Sequence, residues 1–292
     1  MKSRSAEKVK LNSFDGLFGI DETGETVTSV PLSELHTFRD HPFRVLDDEK
    51  MQEIVESVKQ YGVLMPGIVR PHPERGYEVI AGHGRWRACE LAGLTEMPVI
   101  IREMDDDTAV VLMVDTNIQR EDILPSEKAK AYRMKYMALR HRGKKSGKNT
   151  YDEIGEAAGE NAKKVQRYIW LSRLSEGLLE MVDRKELGIS QGVDLSFLTE
   201  EAQQWVQSVI KEKNCTVSIA QSARIKEYAK KDELTLAIVQ LVLEEAKQKK
   251  RKITLKAERI NRYFAEDLSS EEIESIIIQL LEEWKDGNRR DV

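Results

Sequence analysis

Residues 77–88 read YEVIAGHGRWRA, a strand-like run that ends in Gly82-His83-Gly84 and continues as a helix-like run through Leu91. A strand that ends in Gly-x-Gly before a helix lets backbone N–H groups converge on an anion, which the helix dipole also favours. Arg85 adds a cation that can hydrogen-bond the same anion. Glycines at this place are also typical of a tight turn without a ligand, so this stretch alone leaves both interpretations open.

The residues around this stretch alternate between strand and helix patterns. The pattern predicts a short strand at 27–30, a turn at 31–35, an amphipathic helix at 47–61, strands at 67–72, 77–81 and 98–102, a helix at 85–92, and a helix through 115 capped by Asp105. We therefore expect a small mixed α/β domain in the first part of the chain.

Strand signals vanish after Asp122, and a helix-turn-helix pattern follows. A helix is expected at 126–141, a basic loop at 143–149, and two helices at 151–158 and 162–173 with Gly159 between them. The candidate DNA-binding residues of the basic run and the second helix are Arg140, Arg142, Lys144, Lys145, Asn161, Lys163, Lys164, Gln166 and Arg167. A plain helical hairpin with a solvated charged face is the alternative, but the basic run upstream favours DNA binding.

Composition limits the class of protein. The 292 residues are 40% hydrophobic and 33% charged, which allows two or three domains with solvated surfaces. No apolar run is long enough to cross a membrane, so we expect a cytoplasmic protein. Cys89 and Cys215 are the two cysteines, and their spacing supports neither a disulfide framework nor a metal site. The net charge of −5 excludes a uniformly basic surface but permits a local basic face.

Three segments resemble the conserved boxes of the ParB family of DNA-partition proteins. They are YGVLMPGIVR at 61–70, GHGR at 82–85 and NIQREDILPSEKA at 117–129, similar in order to G-x-x-x-P-x-x-V-R, G-E/H-R-R and E-N-x-Q-R-x-x-L-x-P-x-E-x-A. The general style is most similar to ParB-like proteins of mobile elements. The resemblance implies an α+β protein, with a ParB-like N-terminal domain, an all-α helix-turn-helix domain and a helical C-terminal segment.

The resemblance also implies that the N-terminal domain binds CTP with Mg²⁺. The nucleotide-binding residues would be Gly62, Pro66, Arg70, Gly82, Gly84, Arg85, Asn117, Gln119 and Arg120. Two residues depart from the family pattern. Gly84 stands where the family has an arginine, and Thr116 stands where it has the glutamate linked to the metal ion in hydrolysis. We therefore expect weak or absent CTP hydrolysis and no catalytic residue.

The implied function is sequence-specific DNA binding in the partition of a chromosome, plasmid or mobile element, as a CTP-responsive dimeric clamp. The implied partners are a palindromic duplex site, a second copy of the chain and a partition ATPase, at the nucleoid. One alternative is a helix-turn-helix transcription regulator without nucleotide switching. Another is a ParB-related nuclease with Asp105, Asp106 and Asp107 as metal ligands, although a helix cap accounts better for three consecutive acids. A sulfiredoxin-like enzyme would need a cysteine in the 82–85 turn, whereas Cys89 lies a helical turn later.

These observations divide the chain into four parts: a mobile tail at 1–26, a nucleotide-binding domain at 27–122, a DNA-binding domain at 123–250 with its helix-turn-helix at 150–174, and a dimerisation segment at 251–292. In the last part, Ser269 and Glu272 form a capping-box pattern before an amphipathic helix. The apolar stripe of that helix consists of Ile273, Ile276, Ile277, Leu280, Leu281 and Trp284. The stripe packs either onto residues 253–264 or onto a second copy of the chain.

Overall fold

The computed structural model describes residues 26–120, 122–143, 149–244, 263–264 and 268–288. The predicted tail up to residue 25, Lys144 and Lys145 of the basic loop, and nearly all of the 253–264 segment lie outside the described residues. Contacts divide the chain into two compact units, Met1–Glu245 and Ala246–Val292. The finer four-part division predicted from the sequence remains a proposal.

Five strands form one mixed sheet in the order β1-β5-β3-β4-β2. The strands are β1 (Val27–Pro31), β2 (Leu35–Thr37), β3 (Gly67–Pro71), β4 (Tyr77–Ala81) and β5 (Glu96–Ile101). The pairs β1–β5 and β3–β4 are antiparallel, whereas β3–β5 and β2–β4 are parallel. Residues 31–35, expected as a turn, form a short 3-10 helix (Leu32–Glu34), and Leu35 then begins β2.

Three helices belong to this sheet domain: α1 (Glu49–Tyr61), α2 (His83–Ala92) and α3 (Asp106–Asn117). The Asp48 carboxylate caps α1 by accepting from the Met51 N–H at 3.0 Å. Asp105 caps α3 by accepting from the Thr108 N–H at 2.7 Å, which confirms the predicted cap. Helix α2 begins at His83, two residues before the expected start.

The two faces of the sheet contribute to two different cores. On one face, Val69 and Val99 of the sheet pack with Val55 of α1 and Cys89 of α2. On the other face, Ile80 belongs to a larger core that includes Met113 of α3 and continues into the helical region. Each large aliphatic side chain buried in such a core contributes about 1.5–3 kcal/mol. The shared core joins the sheet domain to the helices that follow it.

Eight helices follow among the described residues of the first unit. They are α4 (Pro125–His141), α5 (Thr150–Ala158), α6 (Ala162–Leu171), α7 (Glu176–Asp183), α8 (Ile189–Leu195), α9 (Glu200–Lys213), α10 (Ile219–Lys230) and α11 (Leu236–Glu244). The N-terminus of α4 is held by Asp183, whose carboxylate accepts from the Ser126 N–H at 2.9 Å and the Ser126 hydroxyl at 2.6 Å.

The second unit contains helix α12 (Ser270–Asn288). Its predicted capping box is confirmed, because the Glu272 carboxylate accepts from the Ser269 N–H at 2.8 Å and the Ser269 hydroxyl oxygen accepts from the Glu272 N–H at 3.3 Å. Leu280, Leu281 and Trp284 of its apolar stripe are 57%, 58% and 66% exposed. The described residues thus confirm the predicted α+β class, and no helix among them is long and apolar enough to cross a membrane.

Candidate nucleotide and nucleic-acid sites

The N-terminus of α2 has the geometry of an anion site. Gly82 precedes the helix at φ 110° and ψ 19°, a left-handed conformation that favours glycine, and this N-cap residue has no side chain with which to cap the helix. The first N–H groups of an uncapped helix need acceptors from outside, and an anion is one. A Cβ on Gly82 would lie 3.3 Å from the Gly67 Cα, whereas one on Gly84 would meet only the Met51 Cε at 4.0 Å. Space is therefore open beside Gly84.

Arg85 is hydrogen-bonded to the first of the three ParB-like segments, residues 61–70. Its Nη1 donates to the carbonyl oxygens of Met65 and Pro66, at 2.7 Å each. Burial lowers the pKa of the guanidinium from its ordinary value. Together with Gly62 and Met65, Arg85 lines a cavity of about 310 Å³. The structure thus brings Gly62, Pro66 and Arg85 of the predicted nucleotide site together, with Arg85 bracing the loop before β3.

Arg70 lies elsewhere in the sheet domain. It follows Gly67 by three residues along β3, about 10 Å at the usual rise of a strand. Its guanidinium is paired with Glu78 and with Asp106, at 2.7 Å each, and its side chain is 12% exposed. Arg70 therefore joins two strands to the start of α3, and its role as a phosphate ligand remains a prediction.

The third box begins at the end of α3. The Asn117 amide donates to the Met113 carbonyl of its own helix at 2.8 Å, and the Thr116 hydroxyl donates to the Leu112 carbonyl at 2.9 Å. Gln119 reaches the helix-turn-helix region, where its Nε2 donates to the Ala157 carbonyl at 3.0 Å. Arg120 is exposed.

A cavity of about 360 Å³ lies along α2, lined by Phe43, Trp86 and a pair of histidines. The rings of His41 and His83 lie 3.8 Å apart between centroids. Burial, and next the neighbouring His41, lower the pKa of His83 to about 3, so this ring carries no charge at neutral pH. The Nε2 atoms of both histidines and the Trp86 Nε1 are buried, and none of the described residues forms a hydrogen bond with them. Sequence reasoning missed this cluster, since neither histidine has a distinctive spacing.

The described residues contain no cluster of three or more His, Cys, Asp or Glu side chains that could hold a metal ion. The three consecutive acids have separate partners, because Asp105 caps α3, Asp106 pairs with Arg70, and Asp107 lies 3.5 Å from the His141 imidazole. Cys89 is buried in the sheet core. These placements favour a structural role for each of the four residues.

Helices α5 and α6 form the predicted helix-turn-helix. Gly159 ends α5 at φ 66° and ψ 28°, as the tight connection requires. Gly155 is a second requirement that sequence reasoning missed, since a Cβ there would lie 2.3 Å from the Glu160 carbonyl oxygen. The turn is fixed by Glu160, whose carboxylate accepts from Lys128 at 2.5 Å and from Tyr132 at 2.9 Å.

The structure places the predicted DNA-binding residues in different surroundings. Lys163 and Arg167 are exposed on α6, and the Arg167 guanidinium donates to the Ser190 hydroxyl at 2.8 Å. Asn161 caps α6 by accepting from the Lys164 N–H at 2.8 Å. The remaining side chains are less exposed or paired: Gln166 is half-buried, the Lys164 ammonium lies 2.7 Å from the Glu160 carboxylate, and Arg140 covers the Tyr136 ring at 5.7 Å. Arg142 is exposed just after α4, whereas Lys144 and Lys145 lie outside the described residues.

A group of cations and aromatic rings at the end of α6 and beyond it was not predicted. Phe197, 43% exposed, packs edge-on against Trp170 and lies under Arg173 and Lys226, at 5.8 Å and 4.4 Å from its centroid. These residues come from three distant parts of the sequence, so no local pattern brings them together.

The family model and the curated relatives that match this chain agree on one family. The family model described as the ParB N-terminal domain matches residues 20–118. The chain is 35% identical over 180 residues to the probable chromosome-partitioning protein ParB of Xylella fastidiosa, with 61% of this chain and 55% of that protein covered. It is 31% identical over 205 residues to the chromosome-partitioning protein Spo0J of Thermus thermophilus, with 70% of this chain and 72% of that protein covered. The chain spans little more than half the length of the first of these relatives.

Two crystal structures of the C-terminally truncated chromosome-partitioning protein ParB from Caulobacter crescentus are also similar. The complex with the centromeric parS site is 23% identical and covers 70% of this chain and 99% of that one, with a TM-score of 0.42. The complex with CTP-γ-S is 24% identical and covers 64% and 98%, with a TM-score of 0.31. Scores this low express a general likeness only.

Proposed function

This chain belongs to the ParB family of chromosome-partitioning proteins, and we propose that it binds a specific duplex DNA site through α5 and α6 in the partition of a replicon. The observation that carries the proposal is the exposed face of α6. It presents Lys163 and Arg167 beside the glycine turn that sets α6 against α5. Arg can contact guanine in the major groove through two hydrogen bonds, whereas Lys contributes mainly charge. The palindromic site, the partition ATPase and the nucleoid location are parts of the same proposal.

The test is DNA binding by alanine variants. Binding is measured on the duplex site that the wild-type chain selects from a random pool and on random duplex of the same length. Arg167→Ala is expected to lose about 1–3 kcal/mol on the specific site and much less on random DNA, because a base contact is lost. Lys163→Ala is expected to weaken both to the same extent. Lys211→Ala, which removes an exposed cation from α9, is the matched control. If Arg167→Ala weakens both DNAs equally, α6 does not read the bases through this residue.

We further propose that the sheet domain binds CTP with Mg²⁺ at the N-terminus of α2. The uncapped helix start and the exposed Arg120 support a phosphate site there. The cavity beside His83 and Trp86 supports a place for the base, because its buried ring nitrogens have no hydrogen-bond partner in the part of the chain that the structure describes. Thr116 turns its hydroxyl back onto α3, which supports slow or absent hydrolysis.

Calorimetry with CTP, ATP and GTP in the presence of magnesium tests the nucleotide site. The wild-type chain is expected to bind CTP in preference to the purine nucleotides, and Arg85→Ala is expected to abolish binding by releasing the loop at Met65 and Pro66. If titration with CTP gives no heat of binding, with or without cognate DNA, the result would favour a second candidate function. That candidate is a helix-turn-helix regulator without a nucleotide switch, which is supported by the engagement of Arg70 and Arg85 in protein contacts.

We also propose that the chain forms a homodimer through α12. Its apolar stripe is largely exposed at Ile276, Leu280, Leu281 and Trp284, and exposed large apolar surface of this kind is typical of an interface. A dimer places two recognition helices on two half-sites of a palindrome, which raises the affinity above that of a single helix.

A further inference from the structure

An ion pair joins the start of α1 to the end of the third box. Lys50 lies in the first turn of α1, and its ammonium donates to the Asp122 carboxylate across 72 residues of sequence. The two side chains are 66% and 63% exposed. An ion pair this open to water contributes little to stability, so its partners can exchange for another ion at small cost.

The turn of α1 that carries Lys50 packs against the start of α2. The first turns of α1 and α2 adjoin, since the Met51 Cε is 4.0 Å from the place of a Cβ on Gly84. The segment just before α1 is also joined to α2, because the Arg87 guanidinium donates to the Asp47 carboxylate at 2.6 Å. Lys50 precedes Met51 and so belongs to the turn of α1 that adjoins the start of α2.

Arg120 acts electrostatically on the same carboxylate. Its positive charge, after the bond from Lys50 and the charge of Lys50, helps to lower the pKa of Asp122. The charge of Arg120 also contributes, after burial, to the lowered pKa of His41, whose ring packs on His83 in the first turn of α2. Two cations, Lys50 and Arg120, thus act on one carboxylate, that of Asp122.

We propose that Lys50 binds the phosphate chain of the nucleotide, and that Asp122 holds Lys50 in place until a phosphate displaces it. This inference rests on the proposed CTP site and assigns two further residues to it. Lys50 supplies the positive charge that Gly84 does not, from a different helix. Asp122 competes with the phosphate for the same ammonium, so its negative charge weakens nucleotide binding.

The experiment is calorimetric titration of the full-length chain with CTP and, separately, with cytidine, both with magnesium. Lys50→Ala is expected to weaken CTP binding about tenfold, the size of a lost charge-assisted contact to phosphate, and to leave cytidine unchanged. Asp122→Asn is expected to tighten CTP binding about threefold, since a partly exposed competing charge has a modest effect. That gain should vanish when Lys50→Ala is added. Lys59→Ala, an exposed lysine in the last turn of α1, is the control and should bind as the wild type does.

The outcomes separate this inference from the proposed function. If the wild type binds CTP but Lys50→Ala behaves as Lys59→Ala does, Lys50 is not a phosphate ligand and the nucleotide site stands without it. Equal weakening of CTP and cytidine by Lys50→Ala would also overturn the inference, because it indicates a structural role. If the wild type binds neither CTP nor cytidine, the nucleotide site fails and the inference fails with it.

Discussion

Glu160 shows how one side chain fixes the DNA-binding helices. Its carboxylate is 9% exposed and accepts hydrogen bonds from Lys128 and Tyr132 of α4 and from Lys164 of α6. Burial opposes its ionisation, but the bonds from Lys128, Lys164 and Tyr132 lower its pKa, so the carboxylate is charged at neutral pH. The turn between α5 and α6 is therefore attached to α4 by a charged hydrogen-bond network.

Glu160→Ala is expected to lower the free energy of unfolding by about 2–4 kcal/mol, because it leaves the partly buried Lys128 ammonium and the Tyr132 hydroxyl without their acceptor. Chemical denaturation measures the change. Asp152→Ala, which removes an exposed acid from the first turn of α5, is the control and should cost less than about 1 kcal/mol. A similar loss for both variants would contradict a structural role for the network.

His83 makes stability depend on pH. Its pKa in the folded chain is about 3, against an ordinary value of 6.5, owing to burial and next to His41. Between these two values the unfolded chain binds a proton that the folded chain does not, so the free energy of unfolding falls as the pH is lowered through this window. The slope from this one group is at most about 1.4 kcal/mol per pH unit. His83→Asn should reduce the slope in denaturation curves between pH 6.5 and 4, and an unchanged slope would show that His83 is not buried as described.

At the scale of elements, Gly155 tests the close packing of α5 against the following turn. A Cβ at this position would lie 2.3 Å from a backbone oxygen, which cannot move as a flexible side chain can. Gly155→Ala is expected to cost about 1–3 kcal/mol and to weaken specific DNA binding. A Cβ on Gly159 would meet no atom within 4 Å. Gly159→Ala is therefore expected to cost only the strain of the positive φ, about 1–2 kcal/mol. A larger loss of DNA binding for Gly159→Ala than for Gly155→Ala would contradict this packing.

Elements with local signals could be predicted from the sequence. The caps at Asp105 and Ser269, the glycine at 159 and the spacing of apolar residues each act within a few residues, so helices α3, α5, α6 and α12 were expected close to their observed bounds. Strand β2 was missed because its partner is β4, far along the chain, and its three residues carry no pattern of their own.

The candidate site could be predicted only in part, for the same reason. The boxes identified the segments, but the partners of their side chains come from distant residues. The contact of Arg85 with Met65 and Pro66, the stack of His41 on His83 and the pair of Lys50 with Asp122 all join residues that are 19 or more positions apart. A motif identifies the residue types, whereas the fold decides which of their polar atoms remain available to a ligand.

At the scale of the whole molecule, the exposed stripe of α12 predicts a dimer. Leu280→Glu places a charge in the centre of the stripe and is expected to shift the chain from dimer to monomer at micromolar concentration, because a buried unpaired charge is costly. Ser275→Glu adds the same charge on the opposite face of the helix and should leave the dimer intact. Light scattering measures both. A monomeric wild type, or a Leu280→Glu variant that stays dimeric, would contradict the assignment of α12 as the interface.

The central claim is that α6 reads a specific duplex site, and the most direct test is selection of bound DNA from a random duplex pool by the full-length chain. The account predicts enrichment of one sequence family arranged as an inverted repeat, with two half-sites about one helical turn apart or a multiple of that spacing. The same selection with Arg167→Ala should give relaxed base preference within each half-site. Recovery of random sequences by the wild-type chain, at a salt concentration where DNA is still retained, would contradict the claim.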